Sequence, residues 1–210
     1  MIRYVSRIGV ATLLVATGAC VMVLANAASF VNAQPYGSGT YGSCQYGGSC
    51  SISLTSSGTV ALDVTPTSSA RCTTAKDSVQ VMTASGTGYT LQLASSATAT
   101  TLAGANSGGS IAAGSGTIAA PQPLPANRWG FRIDSGAFGS GPTSTSSNAA
   151  PSSTTYAGVT SSASPVTLKT RSTTPPNPDP LAVWYSLCVD TSIPADTYSR
   201  AVQYTAVVNP

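Results

Sequence analysis

Histidine and glutamate do not occur in these 210 residues, and charged side chains make up only 7% of them. Without histidine no Ser-His-Asp triad can be assembled, and the commonest general base and zinc ligand are both missing. Without glutamate, a paired-carboxylate hydrolase or a calcium site has only Asp63, Asp77, Asp134, Asp179, Asp190 and Asp196 to draw on. These six are scattered through loops and strand ends, where solvation and turn capping account for them. Lys76 and Lys169 are the two lysines. A Ser-Lys dyad or a lysine isopeptide crosslink would have to use one of them, and neither stands in a recognisable nucleophile motif. The composition therefore reads as non-enzymatic and implies neither a cofactor nor a metal. Clustered Lys/Arg is lacking too. Arg3 and Arg7 sit in an N-terminal leader, and the other seven cations nearly balance the six aspartates. That excludes a nucleic-acid partner, because phosphate binding needs a basic patch. Low charge alone does not mean disorder, since 42% of the residues are hydrophobic.

Met1–Arg7 is short and basic, Ile8–Ala25 is a mostly apolar run, and small residues follow as Ala25-Asn26-Ala27 and Val31-Asn32-Ala33. Basic, apolar, small is the order of a secretory signal peptide, helical during export. Cleavage is expected after Ala33, with Ala27 the second choice. The alternative is an uncleaved anchor, and the leader is then the chain's only membrane contact. Either way Arg3 and Arg7 hold the N-terminus inside and the remainder lies outside. Cys20 has apolar Val21-Met22-Val23-Leu24 after it, not the polar tether of a lipid-modified cysteine.

Setting Cys20 aside leaves Cys44, Cys50, Cys72 and Cys188, an even set suited to two disulfides in an oxidising compartment. Three pairings are open, and Cys44–Cys50 with Cys72–Cys188 is preferred. The first closes a short Gly-rich loop. The second closes 115 intervening residues, which chain entropy values at about 4–5 kcal/mol.

Residues 34–50 form a linker in which Tyr36-Gly37, Tyr41-Gly42 and Tyr46-Gly47 recur every five residues. The alternative is an aromatic arm that offers tyrosine faces to a sugar or another surface. Gly37-Ser-Gly39-Thr-Tyr-Gly42 fits a dinucleotide fingerprint formally, but no strand precedes it and no helix follows.

From Cys50 onward the apolar period is two. Val60, Leu62 and Val64 alternate with polar or small residues, as do Val79 with Val81 and Tyr89 with Leu91 and Leu93. Alternation of this kind marks half-buried strands. Ser85-Gly86-Thr87-Gly88 between the last two runs predicts a hairpin. Ala94–Leu124 is Gly/Ser/Ala-rich and reads as short edge strands around Leu102, Ile111 and Ile118. Asn127–Asp134 places Trp129, Phe131 and Ile133 on one face and Arg128 and Arg132 on the other. Ser135–Thr155 reads as a long loop, the best candidate for a variable contact surface or for O-glycosylation, with a plain solvated insertion as the alternative. Strands resume at Tyr156–Val159 and Pro165–Thr170. Leu181–Val189 is apolar on both faces, a central strand whose Cys188 would fasten it near Cys72. Tyr198–Val208 is the last strand.

Several of these segments carry a resemblance. They are Cys72-Thr-Thr-Ala-Lys-Asp77, Thr87-Gly88-Tyr89-Thr90-Leu91, Asn127-Arg-Trp129-Gly130-Phe131-Arg132, Val183-Trp184-Tyr185 with Cys188, and Asp190-Thr-Ser-Ile-Pro194 followed by Thr197-Tyr198 and Tyr204-Thr205-Ala206-Val207. From Tyr36 to the C-terminus the chain resembles a group of uncharacterised secreted β-sandwich surface proteins of Saccharibacteria-type (candidate phyla) bacteria. The resemblance implies a structural or adhesive role and supplies no catalytic residue.

The expected organisation is a signal peptide over 1–33, a disulfide-tied linker over 34–50, and an all-β, antiparallel β-sandwich over 51–210 with long Ser/Thr/Gly loops. The expected function is that of a secreted or cell-surface structural or adhesive protein with an unidentified protein or glycan partner. The alternative is a carbohydrate-binding module stacking sugars on Tyr36, Tyr41, Tyr46 or Trp184.

Overall fold

The computed structural model describes residues 3–16, 18–23, 51–142 and 144–210, the first two stretches by their backbone course alone. The protein is all-β, with antiparallel and mixed sheets curled into a half-barrel. Among the described residues sixteen strands follow in chain order. They are β1 (Arg3–Ala16), β2 (Gly18–Val23), β3 (Ile52–Thr55), β4 (Val60–Val64), β5 (Arg71–Thr83) and β6 (Tyr89–Ser95). Next come β7 (Leu102–Gly104), β8 (Ser110–Ala113), β9 (Gln122–Pro123), β10 (Arg128–Ile133), β11 (Ser146–Ala149) and β12 (Thr155–Tyr156). The last are β13 (Val166–Arg171), β14 (Asp179–Val189), β15 (Thr197–Ser199) and β16 (Ala201–Val208). Among the described residues the only helical element is one 3-10 turn, Gly136–Phe138, and no helix could cross a membrane.

The main sheet runs β11-β5-β14-β10-β8-β7-β15-β1-β16-β6-β13, with β2 bridging β1 and β4, and β3 on β5; β9 and β12 pair separately. It curls so that β5, β14 and β10 form one layer and β13, β6 and β16 the other. The two-residue period does the rest. Val79, Val81, Phe131, Val183, Tyr185 and Leu187 from the first layer meet Leu91, Leu93, Val202, Tyr204 and Ala206 from the second in one core. The hydroxyls of Tyr185 (β14) and Tyr204 (β16) meet across it at 2.8 Å. That bond satisfies two polar tips that burial would otherwise penalise.

Most expected strands lie where alternation places them, and Trp129 is a core residue with no exposure. Its indole donates to the carbonyl of Thr100 at 3.0 Å. Four expectations need correction. Ser85–Gly88 does turn the chain, but the strands it joins do not pair as a hairpin: β5 lies against β14 and β6 against β16. The turn carries the chain from one layer to the other, with Gly88 at φ +76° pressed on the Arg171 carbonyl, a conformation and a contact that only glycine accepts. The short strands β7 and β8 lie inside the strand order and not at its edge. The sheet is not purely antiparallel, since β8 runs parallel to β10 through Arg128↔Ala112 and Trp129↔Ala113.

The fourth concerns the leader. Residues 3–16 and 18–23, expected as an export helix, run extended as a hairpin between β16 and β4. An apolar run rich in Val and small residues can take either form, and here two open sheet edges offer it pairing partners. Ala25–Ala33, with both expected cleavage sites, lie outside the described residues.

Candidate contact surface over the stapled sheet

The outer face of β5, β14 and β10 is laid out by register. Cys72 stands opposite Cys188 and Cys188 opposite Arg128; Thr74, Ser186 and Gly130 form the next row; Lys76, Trp184 and Arg132 the third. Cys72 and Cys188 are bonded, with Cα atoms 4.1 Å apart. The expected pairing is therefore present. It staples two neighbouring strands of one sheet and does not tie the two layers together.

This face is covered by the segment read from sequence as a loop. Ser135–Thr155 contributes the 3-10 turn and β11, which pairs with the edge of β5 through Ser146↔Thr74 and Ala149↔Cys72. Arg132 anchors it from beneath. Read from sequence as the polar face of its strand, Arg132 is 1% exposed. Its guanidinium donates to the carbonyls of Phe138 (3.0 Å), Gly139 (3.2 Å) and Thr155 (3.4 Å). Its Nε has no hydrogen-bond partner among the described residues. The charge is met by carbonyl dipoles and by the Phe138 ring, 5.8 Å away. Gly130 lets the returning chain approach, since a Cβ there would lie 2.5 Å from the Ala157 carbonyl oxygen. That approach permits the paired Phe131–Ala157 backbone bonds of 2.8 and 2.7 Å.

Between sheet and covering segment lies a cleft of about 110 Å³, walled by the disulfide, Leu124, Tyr156, Pro142 and Ala149. Six hydroxyl side chains line it, and those of Thr74, Ser186 and Tyr156 are joined to one another. Thr74 Oγ1 donates to Ser186 Oγ (2.9 Å), Ser186 Oγ donates to the Thr73 carbonyl (3.1 Å), and Tyr156 OH lies 3.2 Å from Thr74 Oγ1. Among the described residues no base touches the Thr74, Ser186 and Tyr156 hydroxyls. The volume suits a few waters and falls well below the roughly 300 Å³ at which small-molecule pockets begin.

The remaining candidates are consumed in structural contacts. Trp184, expected as a stacking face, is 4% exposed. Its indole donates to Asp134 Oδ2 at 3.0 Å, and Lys76 Nζ lies 5.8 Å from the ring centroid. The ring is thus closed to a sugar. Tyr36, Tyr41, Tyr46, Cys44 and Cys50 lie outside the described residues.

Asp179, Asp190 and Asp196, three of the six carboxylates a calcium site could draw on, each serve a separate set of partners. Asp190 accepts from Asn127 Nδ2 and Ser192, whose hydroxyl foremost holds its carboxyl below the usual range. Asp196 accepts from Ser107 Oγ (2.7 Å), the Ser107 amide (2.6 Å) and the Asn106 amide (2.9 Å), and the Ser107 hydroxyl leads in holding it low. Asp179 forms ion pairs with Lys169 at 2.7 Å and Arg171 at 2.8 Å. Among the described residues no three metal-ligating side chains converge. The Lys169–Asp179 contact also bears on an isopeptide bond. A Lys–Asn isopeptide bond assisted by an aspartate needs a neutral amine free to attack an asparagine carbonyl, whereas Lys169 Nζ is engaged by the Asp179 carboxylate and the Pro180 carbonyl. Asp77, fully buried, accepts from Ser56 Oγ, Ser57 Oγ and the Ser57 amide, and so fixes the β3–β4 turn.

Sequence reasoning missed Arg132 and Asp77 as buried anchors. Asp77 did carry a signal, since it interrupts the inward row Val81-Val79-Asp77-Ala75 at the period-two position. Compared with known proteins, the chain matches no family model, no curated protein and no solved structure.

Proposed function

We propose that this chain is a non-catalytic structural or adhesive protein, exported to the cell surface or beyond, which meets its partner through the Ser135–Thr155 segment that covers the outer face of β5, β14 and β10. The observation that carries this reading is the Cys72–Cys188 disulfide, buried within adjacent strands. Such bonds persist in oxidising compartments and are rare where thiols are kept reduced. The consumption of Lys169 and the aspartates in ion pairs and turns supports it, as does a cleft too small for a substrate. Ser135–Thr155 offers mostly exposed Ser, Thr, Gly and Asn over a stapled support, an arrangement that gives a contact surface a fixed base and adaptable hydrogen-bonding groups.

Protease shaving of intact producing cells, followed by non-reducing intact mass, tests location. Binding screens against glycan arrays and cells, with and without reductant, test adhesion. The expected result is surface-accessible, oxidised protein whose binding falls when reductant opens the staple. Reduced thiols in a cytoplasmic protein would sink the proposal.

A further inference from the structure

The seam filled by residues 3–23 is the one part of the sheet whose occupant the sequence marks for removal. β1 lies antiparallel to β16 from Arg3↔Val207 to Val10↔Ala201, then meets β15 at Leu13↔Tyr198. β2 doubles back on β1 and pairs with β4 from Ala19↔Val64 to Val23↔Val60. Two strands thus separate β16 from β4, a gap of about 10 Å between facing edges once they are gone. Both rims carry core residues. Val60, Leu62 and Val64 on β4 and Val202, Tyr204 and Ala206 on β16 are each at most 2% exposed. Without the hairpin, backbone N–H and C=O groups along Ala201–Val208 and Val60–Val64 lose their partners, beside an apolar floor. An open edge of that kind is a template for strand addition.

We infer that leader removal opens a docking groove between β16 and β4, filled in the exported protein by a pair of extended, alternately apolar strands from a different surface protein. This rests on the export reading above. Register and elimination identify the occupant. Among the described residues of 51–210 the alternating apolar runs are already paired in the sheet. The 34–50 stretch is Gly-rich, and its five-residue tyrosine period puts Tyr41 on the opposite face of an extended chain from Tyr36 and Tyr46. A second copy of 34–210 therefore has no spare strand to lend, and the chain has none to fold back. The hairpin itself shows what fits. Ile8, Ser6 and Tyr4 stand opposite Val202, Tyr204 and Ala206, and Ala19, Val21 and Val23 opposite Val64, Leu62 and Val60. Small or β-branched apolar residues at every second position are what the β4 rim takes. While the leader is attached it occupies both rims, so docking waits for export.

The test uses the processed protein recovered from the surface of producing cells, freed of bound strands by denaturation and refolding with its disulfide intact, its N-terminus fixed by intact mass. The probe is a synthetic peptide of residues 3–23 carrying Cys20→Ser. The expected result is a processed chain that binds one peptide, with hydrogen exchange at Ala201–Val208 and Val60–Val64 slowed by about tenfold or more on binding. A peptide that also carries Val21→Asp, opposite Leu62, should bind about tenfold more weakly or worse. The inference is overturned if the exported protein retains residues 3–23. It is equally overturned if β16 and β4 are already protected in the processed protein alone, as a monomer closed on itself or as a dimer. Shaving that finds no surface protein overturns both readings, because the groove opens only on export. Failed peptide binding retires the groove and leaves the location intact.

Discussion

Asp179 is 2% exposed and accepts from Tyr89 OH (2.7 Å), Lys169 Nζ (2.7 Å), and Arg171 Nε (2.8 Å) and Nη2 (3.2 Å). It joins the start of β14 to β6 and β13 and so ties the two layers at the end of the sheet away from the disulfide. Asp179→Asn keeps the volume, removes the charge and leaves two cations facing a neutral amide. Breaking a buried pair by removing one partner costs about 3–5 kcal/mol. Here the cations are only partly buried, with 18% of the Lys169 side chain and 42% of the Arg171 side chain exposed. Water recovers much of their solvation, so the expected loss is about 2–3 kcal/mol. The pH dependence has a definite sign. Burial alone raises the Asp179 carboxyl, but hydrogen bonds from Arg171, Lys169 and Tyr89 outweigh it and hold the group well below the usual carboxylate range. Its contribution is therefore complete above the unfolded-state value of about 3.9 and is lost as pH falls through the folded value. Urea denaturation of both proteins from pH 7 to pH 2 reads this directly. The gap between them should stay constant down to about pH 5 and narrow below about pH 4. A gap under about 1 kcal/mol at neutral pH, or one that does not shrink in acid, refutes the reasoning.

Cys72→Ala with Cys188→Ala removes a closure of sequence separation 116. It should lower unfolding free energy by about 4–5 kcal/mol in chain-entropy terms, measured in denaturant against the oxidised protein; a loss no larger than that of an ordinary core truncation would count against the staple. Arg132→Met keeps the aliphatic stem and removes the bonds to the Phe138 and Gly139 carbonyls. Limited proteolysis should then cut within 135–155 several-fold faster, and an unchanged rate would show that Arg132 does not hold the cover down. Asp196→Ala frees the Asn106 and Ser107 amides, and their hydrogen exchange should accelerate by about tenfold or more. Gly130→Ala drives a Cβ to 2.5 Å from the Ala157 carbonyl oxygen and should cost about 1–3 kcal/mol, read as a lowered urea midpoint.

Particular residues show how far the sequence reaches. The alternation of Val60, Leu62 and Val64, of Tyr89, Leu91 and Leu93, and of Val202, Tyr204 and Ala206 is local. An extended backbone sends successive side chains to opposite faces whatever lies beside it, so those strands and their inward rows were legible. The Cys72–Cys188 pairing was legible as the preferred arrangement of few cysteines. The burial of Trp129 followed from the two apolar residues that share its face.

Neighbours were not legible. That β5 leaves its turn for one layer and β6 for the other depends on β14 and β16, about a hundred residues further along. A local pattern cannot encode that choice, because a hairpin and a layer crossing use the same Gly-rich turn. Arg132 and Trp184 read as candidates for an exposed face until the returning 135–157 segment covers them. Asp179, Asp190 and Asp196 read as solvated or turn-capping carboxylates until each meets its own partners in the fold. The chain alone thus determined strand content, the inward faces and the disulfide. Only tertiary packing decided which polar groups are buried, because burial depends on segments that are distant in sequence.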